Sequence, residues 1–458
     1  MNRETTITAT ISGSIALGVY LLTLAPDLTW SHWSSDGGEL ITAAVTLGIP
    51  HPPGYPTYVL LGKLISMLPI RPIALTFNLF SALCTATAAA LITHHPPLTD
   101  YRSPITAHRS PFPPLAAGLT FAFASLVWSQ AIVTEVYGLN LLMLAAFLWA
   151  LLHSRPFAVS GLLLGLSITT HLTSLFMLPL ALALTPRGQW WRLSLGVVAG
   201  LTPFLLLPAL ARTDSPVVWG QPTNLSAWWW LVSGRIYQAN AFALPLPELI
   251  TRGQTWGRLL LAQFAFIGLP LILVGFHPRL HHLSHTRQQN GLLAATAVLY
   301  ILYALAYNTD DAAVLLLPAI LIGVILLLPA LQPLRAWALL LPLALLLLNF
   351  HKLNLHQDYN LRARAESALQ HTPDNSIVLT PGNQTIFALW YLHHVEGQRP
   401  DVILVDENLF AFAWYRQQLA RRYPELHHPA GDDLMGFITE NQTSFPVTFV
   451  DLGKVSNN

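Results

Sequence analysis

The sequence predicts an all-α polytopic membrane domain over residues 1–354, followed by a small α/β domain over residues 355–458. Only 10% of the 458 residues are charged and 53% are hydrophobic, a balance typical of a chain whose solvent is the lipid bilayer. Long apolar runs fill the first part, whereas short alternating segments fill the last. The net charge of +1, with scattered basic residues, excludes a nucleic-acid-binding surface.

The apolar runs set the number of membrane spans, because a spanning helix needs about 20 mostly apolar residues. Arg3 precedes the first run without an obvious cleavage site after it, which predicts a retained signal anchor and a cytoplasmic N-terminus. The run from Phe157 to Leu184 is long for one span and short for two, and His171 lies at its middle. The other qualifying segments are residues 7–25, 72–93, 114–131, 137–153, 193–211, 257–276, 291–307, 312–330 and 334–350.

The positive-inside rule favours counting the ambiguous run as two spans, which gives about eleven helices. Counted as one span, it would place Arg187 and Arg192 outside the cell and reverse the membrane orientation of every later segment. The favoured count places the 26–70 loop, the 212–256 loop and the C-terminal domain outside the cell. It also keeps nine arginines in the cytoplasm, namely Arg3, Arg102, Arg109, Arg155, Arg187, Arg192, Arg279, Arg287 and Arg335.

The tail after residue 355 alternates short apolar strands with helices, which predicts a parallel sheet. Strands are expected at residues 376–380, 402–405 and 447–450, and helices at residues 385–395 and 411–422. In such a sheet the loops at the carboxyl ends of the strands form the binding edge. These loops are Pro381-Gly382-Asn383-Gln384 and Asp406-Glu407-Asn408.

Two carboxylates, Asp36 and Glu39, lie three residues apart at the start of a short helical pattern that ends before Gly48. One interpretation makes one of them a general base, since burial at the membrane surface can raise a carboxyl pKa toward neutrality. The other interpretation is a capping box, in which Asp36 accepts from a backbone N–H and Glu39 bonds back. The spacing favours the cap, although one residue can serve in both roles.

The segment His51-Pro52-Pro53-Gly54-Tyr55-Pro56 follows within a dozen or so residues and predicts a stiff turn that fixes where His51 and Tyr55 point. A histidine beside an acidic pair can orient a base or stabilise a departing phosphate. The alternative is an aromatic belt at the membrane interface with an incidental histidine. Trp30, Trp33, Tyr55 and Tyr58 would form that belt.

Further ionisable and aromatic residues lie on the outer side under this topology and are candidate substrate-binding groups, because charge at membrane depth is costly. They are Glu135 and Tyr137 in one outer turn, His171 in the broken run, and the pair Asp310 and Asp311, either of which could instead cap the next helix. Lipid phosphate could bind Arg235, which is favoured for its tryptophan and tyrosine neighbours. The other candidate cations are Lys63, Arg71, Arg212, Arg252 and Arg258.

A metal site is not predicted. The lone Cys84 excludes an intrachain disulfide and a cysteine-based zinc site. Several histidines cluster, but none of the clusters shows the spacing of a known metal-ligand motif. The clusters are His94-His95, His281-His282 with His285, His393-His394 and His427-His428.

Taken together, residues 30–40 and 48–56 resemble the first-loop motif of a family of bacterial multi-pass proteins related to the eukaryotic transmembrane protein O-mannosyltransferases, within the GT-C class of glycosyltransferases. Residues 128–140, 165–172 and 388–402 look similar to the same family. The resemblance implies a GT-C-like fold in the bacterial cytoplasmic membrane. It also implies an inverting transferase that takes a sugar from a polyprenyl-phosphate carrier on the extracytoplasmic face.

The resemblance makes Asp36 the expected base, with Glu39 and His51 as its partners. Asp-Gly-Gly-Glu stands where many GT-C enzymes have two adjacent acidic residues, so the roles of Asp36 and Glu39 as base and partner remain open. Mannose is the candidate sugar and a protein or glycan the candidate acceptor. No cofactor is required, although some enzymes of the class use a divalent ion. The alternatives are a transporter or lipid flippase, and a non-catalytic assembly factor.

Overall fold

The structure, a computed structural model, describes residues 3–94, 110–153, 156–275 and 287–453. The predicted cytoplasmic Arg102, Arg109, Arg155 and Arg279, and the clustered His95, His281, His282 and His285, lie outside these ranges. The helices before residue 354 are α1 (Arg3–Thr23), α2 (Gly37–Thr46), α3 (Pro56–Ile65), α4 (Ile73–Thr93), α5 (Phe112–Phe123), α6 (Ser125–Ala131), α7 (Tyr137–Leu152), α8 (Phe157–Thr170), α9 (Leu178–Leu184), α10 (Trp190–Leu201), α11 (Leu207–Leu210), α12 (Leu225–Val232), α13 (Leu246–Gln263), α14 (Gly268–Gly275), α15 (Arg287–Ala306), α16 (Leu317–Leu331) and α17 (Leu340–Leu353).

Several of these helices are long and apolar enough to cross a membrane. Within the described residues there are five such stretches, and up to seven if each of two sharply bent helix pairs is one span. The bent pairs are α5 with α6, at 67°, and α13 with α14, at 79°. The five stretches are Arg3–Thr23, Ile73–Thr93, Arg187–Leu210, Arg287–Ala306 and Ala312–Leu353. The count of about eleven spans stays a prediction.

Two of the long runs are interrupted. The run from Phe157 to Leu184 breaks at His171, whose extended backbone separates α8 from a short 3₁₀ segment and α9, as its sequence predicted. The stretch Ala312–Leu353 has 42 residues. As one helix it would be roughly 60 Å long, about twice the hydrocarbon thickness. Its backbone turns at Arg335, where φ is 49°, so it consists of two helical parts.

Helices α8 and α10 lie in very close contact because glycines face each other across the pair. A Cβ atom added at Gly161 would lie 2.1 Å from the Leu193 carbonyl oxygen, and one at Gly200 would lie 2.4 Å from that of Leu162. Small residues let helix backbones approach in this way. This contact joins the two helices that flank the broken His171 segment in the chain.

After residue 354 the chain forms three parallel strands in the order β2-β1-β3. The strands are β1 (Ile377–Thr380), β2 (Ile403–Asp406) and β3 (Val447–Phe449), each within one residue of its predicted position at either end. The helices are α18 (Asn360–Gln370), α19 (Asn383–Trp390), α20 (Glu407–Phe410), α21 (Ala413–Arg422) and α22 (Leu434–Asn441), of which α18, α20 and α22 were not predicted. The helix expected at residues 385–395 ends as α19 at Trp390 and continues as wider π-helical turns to Val395.

The C-terminal region is joined to the loop over residues 26–70 by direct contacts. A Cβ atom at Gly38 would lie 2.2 Å from the Phe387 carbonyl oxygen, so α2 and α19 touch through their backbones. The Arg362 guanidinium donates to Asp27 at 2.7 Å and to both oxygens of Glu396. Asp27 is almost fully buried, and this ion pair therefore ties α18 to the base of the loop.

Candidate functional site

Helix α2 places Asp36 at its N-terminal boundary and Glu39 in its first turn, but the two side chains do not form the capping box that the spacing favoured. The Asp36 side chain makes no capping hydrogen bond. The Glu39 carboxylate is fully buried and accepts hydrogen bonds from His51 instead, from its backbone N–H at 3.1 Å and from its Nδ1 at 2.5 Å. The capping interpretation was wrong because burial gave Glu39 a charged partner from another segment.

The turn after α2 holds His51 from both sides. Gly54 has a φ of +85°, a left-handed conformation that glycine adopts without strain, and Tyr55 opens α3. The Tyr55 hydroxyl lies 2.9 Å from His51 Nε2, on the opposite side of the ring from Glu39. Ile49 pairs with Val218 of the loop over residues 212–256, which joins the turn to that loop. The structure thus contains the turn that the sequence predicted.

The electrostatics of this pair favour a charged His51. Burial lowers the pKa of His51, but the Glu39 and Asp36 carboxylates outweigh it and raise that pKa to about 9. The Asp36 Oδ2 atom lies 3.6 Å from His51 Nε2. Both ring nitrogens then act as donors near neutral pH, Nδ1 to Glu39 and Nε2 toward Tyr55 and Asp36. His51 is therefore an imidazolium held between two carboxylates.

A cavity of about 780 Å³ lies against this group. The Asp36 side chain, 32% exposed, lines the cavity, whereas Glu39 lies behind His51 and does not line it. The sequence did not decide which of the two carboxylates could act as the base. The difference in exposure favours Asp36, because only Asp36 faces the cavity. Residues with polar or aromatic side chains on the wall include Trp30, Trp33, Ser35, Asp36, His51, Tyr55, Tyr137, His171, Thr173, Tyr237, Gln238, Tyr303, Tyr307, Asp310, Asp311 and Gln384.

The structure brings most of the candidate residues together around this cavity. Asp36, His51, Tyr55, Tyr137, His171, Asp310 and Asp311 all line it. The His171 ring lies between Tyr55 and Tyr137, with centroid separations of 6.4 and 5.4 Å. Asp311 borders the following 3₁₀ segment but makes no capping hydrogen bond with its side chain, so the helix-cap alternative fails for it as well.

Glu135 is buried behind the wall and does not line the cavity. Burial raises the pKa of Glu135 well above its usual range, and the nearby Asp36 carboxylate raises it further. Backbone N–H groups of Asp36 and Val136 partly oppose that rise. One carboxyl oxygen has no hydrogen-bond partner among the described residues. A buried carboxyl group whose pKa is raised thus lies next to the residue that faces the cavity.

The structure does not bring the candidate cations to the cavity wall, and their binding of a lipid phosphate stays a prediction. None of Lys63, Arg71, Arg212, Arg235, Arg252 and Arg258 lines the cavity. Arg235 is exposed and donates to Gln238, which does line it. The aromatic-belt alternative fails for three of its four residues, since Trp30, Tyr55 and Tyr58 are buried inside the protein.

The sequence analysis missed several wall residues. Tyr303 and Tyr307 lie four residues apart at the end of α15, immediately before Asp310 and Asp311, and that spacing could have indicated a shared face. Gln384 lies in one of the two loops predicted at the binding edge of the sheet and reaches the cavity. In the other loop, Asp406 is buried and caps α20, so its role is structural.

Comparisons with known proteins agree with this architecture. ArnT from Cupriavidus metallidurans, solved with bound undecaprenyl phosphate, superimposes with a TM-score of 0.50 at 12% identity, over 88% of this chain and 90% of its own. The model for the protein O-mannosyl-transferase TMEM260 N-terminal domain matches residues 36–194, starting at Asp36, and the model for TMEM260-associated domain 2 matches residues 361–427. The chain is a GT-C-type membrane protein similar to the protein O-mannosyltransferases, as its first-loop motif predicted.

Two eukaryotic relatives share this likeness. The Mus musculus protein O-mannosyl-transferase TMEM260 is 27% identical over 92% of this chain, and the Dictyostelium discoideum protein of the same name is 25% identical over 56% of it. The aligned parts make up 66% and 34% of those proteins' own lengths. The chain therefore spans about two thirds or less of the relatives it matches.

Proposed function

We propose that this chain is an inverting glycosyltransferase that moves a sugar from a polyprenyl-phosphate carrier to an acceptor hydroxyl. The observation that carries the proposal is the Asp36 carboxylate, which faces a cavity of about 780 Å³ beside a histidine held by buried Glu39. The names of the relatives favour mannose as the sugar and a protein as the acceptor. The undecaprenyl phosphate bound to ArnT favours a lipid-linked donor.

The reaction needs one base and one site for a departing phosphate. Asp36 takes the proton of the acceptor hydroxyl, and the hydroxyl oxygen forms its bond to the anomeric carbon from the face opposite the phosphate. The carbon–oxygen bond to the phosphate breaks, and its electron pair leaves with the lipid phosphate. This single displacement inverts the anomeric centre.

His51 supplies the positive charge for the departing phosphate. Among the described residues no lysine or arginine lines the cavity, whereas the His51 imidazolium reaches its wall. Charge fixed in a partly dry cavity stabilises a developing negative charge more strongly than charge in water does. Glu39 acts through His51, since it keeps the imidazole charged and oriented without touching the cavity.

Transfer of radiolabelled mannose from a synthetic polyprenyl-phosphate donor, with purified protein, tests the proposal. Removing a general base typically slows a reaction by about 10²- to 10⁴-fold, and we expect that loss for Asp36→Asn. The matched control is Asp432→Asn, at an exposed aspartate of the C-terminal region. Full transfer by Asp36→Asn would exclude it as the base. If the donor is never consumed but substrate still crosses the membrane of vesicles that contain the protein, the result would favour a transporter.

The proposed reaction also implies an orientation of the chain in the membrane. Residues 1–354 would form the catalytic membrane domain and residues 355–458 an extracytoplasmic domain, with the N-terminus in the cytoplasm. A reporter that is active only in the periplasm, fused after the last residue, is expected to give signal. Activity of a cytoplasmic reporter at the same position would contradict this orientation.

A further inference from the structure

The cavity wall includes apolar residues that lie near exposed apolar side chains. Leu172, Ala241 and Tyr303 line the cavity. The Phe242 ring contacts Tyr303 at 6.3 Å between centroids and is 75% exposed, and Leu302, which precedes Tyr303 in the chain, is 56% exposed. Large exposed apolar side chains on a membrane protein are expected to face lipid. The wall around Tyr303 therefore suits the polyprenyl chain of a donor.

The loop over residues 26–70 and the C-terminal region both contribute to the wall. Trp30, Trp33 and Ser35 of the loop line the cavity together with Gln384. The Arg364 guanidinium of α18 lies 5.7 Å from the Trp30 ring centroid, which ties the loop to the C-terminal region that carries Gln384.

Gln384 is the one residue after position 354 among the described residues that line the cavity. It lies near the N-terminus of α19, and its exposed carboxamide makes no hydrogen bond within the described part of the chain. Its position is nevertheless fixed, because the six residues of α19 that follow it are buried. Phe387, one turn later, stacks on His51 with centroids 6.5 Å apart and rings inclined by 13°.

We propose that Gln384 binds the acceptor, a peptide that presents its serine or threonine hydroxyl to Asp36 from the part of the cavity wall that the C-terminal region contributes. A carboxamide can donate and accept hydrogen bonds at once, which pairs with the alternating N–H and C=O groups of a peptide backbone. A free carboxamide on the wall binds without first breaking an internal bond. This inference rests on the proposed function and adds the part of the wall that receives the acceptor.

Steady-state transfer with two varied substrates tests this assignment. The probes are a polyprenyl-phosphate mannose donor and a short synthetic peptide with one threonine, compared for wild type, Gln384→Ala and Gln442→Ala. Gln442 is an exposed glutamine in the same region, away from the cavity, and serves as the matched control. Loss of one neutral hydrogen bond is expected to raise the KM for the peptide about 3- to 10-fold. The KM for the donor and its slow hydrolysis by water stay unchanged.

Four other results separate failure of this inference from failure of the proposed function. An unchanged peptide KM in Gln384→Ala, or an equal rise of both KM values, overturns the acceptor role while wild-type transfer upholds the function. Transfer by the wild type to a glycan hydroxyl but to no peptide overturns the peptide class. A wild type that consumes no donor under any condition contradicts the proposed function itself.

Discussion

Replacing Glu39 with glutamine removes the buried carboxylate that keeps His51 charged, while retaining shape and volume. The pKa of His51 is about 9 in the folded protein against an ordinary value of 6.5. At about 1.4 kcal/mol per pKa unit, this difference corresponds to roughly 3 kcal/mol of stability that depends on the proton. Glutamine is easier to bury than a carboxylate, and Asp36 remains beside the ring, so we expect a net loss of about 1–3 kcal/mol.

The pH dependence of this loss follows from the direction of the pKa change. Because the folded-state pKa of His51 lies above its unfolded value, the stabilisation is fully present below pH 6.5 and is lost as the pH rises through about 9. Glu39→Gln should therefore destabilise the protein at pH 6 and differ little from the wild type above pH 9. The wild-type transfer rate should also fall as the pH rises through about 9, and in the variant this fall should begin at lower pH.

Denaturation of the purified protein in the same detergent micelles at pH 6 and above pH 9 measures the effect, with the exposed Glu425→Gln as control. Rates of transfer over the same pH range measure the second effect. Equal stability of Glu39→Gln and wild type at pH 6, or a loss that is the same at both pH values, would refute the charged pair. An unshifted rate profile would refute its role in the reaction.

The remaining predictions concern helix packing and the loop at the cavity wall. Gly161→Ala should destabilise the protein by about 2 kcal/mol, because its Cβ would lie 2.1 Å from a backbone oxygen of α10. Gly257→Ala, where nothing lies within 4 Å, should be neutral or stabilising by denaturation. Arg252 donates to the Tyr307 carbonyl oxygen at 2.5 Å and so holds the segment that carries Asp310 and Asp311. Arg252→Gln should lower the transfer rate about 10-fold, since misplaced substrate-binding groups slow catalysis. The control is Arg258→Gln, at an exposed arginine. Equal transfer rates for the two variants would show that Arg252 is not needed to hold this segment.

Local sequence patterns predicted much of the architecture. Hydropathy identifies apolar helices because each one must satisfy its backbone hydrogen bonds internally, and the strands of the tail are recognisable as short apolar runs between turns. The first-loop residues Asp36, His51 and Tyr55 lie within 20 positions of one another, joined by a short helix and a proline-rich turn. Their proximity was therefore predictable from the chain itself.

The sequence by itself determined the membrane class, the likeness to O-mannosyltransferases and the presence of Asp36 and His51 at one site. Only the tertiary structure decided that Glu39 binds His51 instead of capping α2, that Arg235 does not line the cavity, and that Gln384 does. The physical reason is that periodicity reports which side of its own element a residue occupies. Which partner a buried carboxylate finds, and which distant segments share a cavity, depends on how those elements pack.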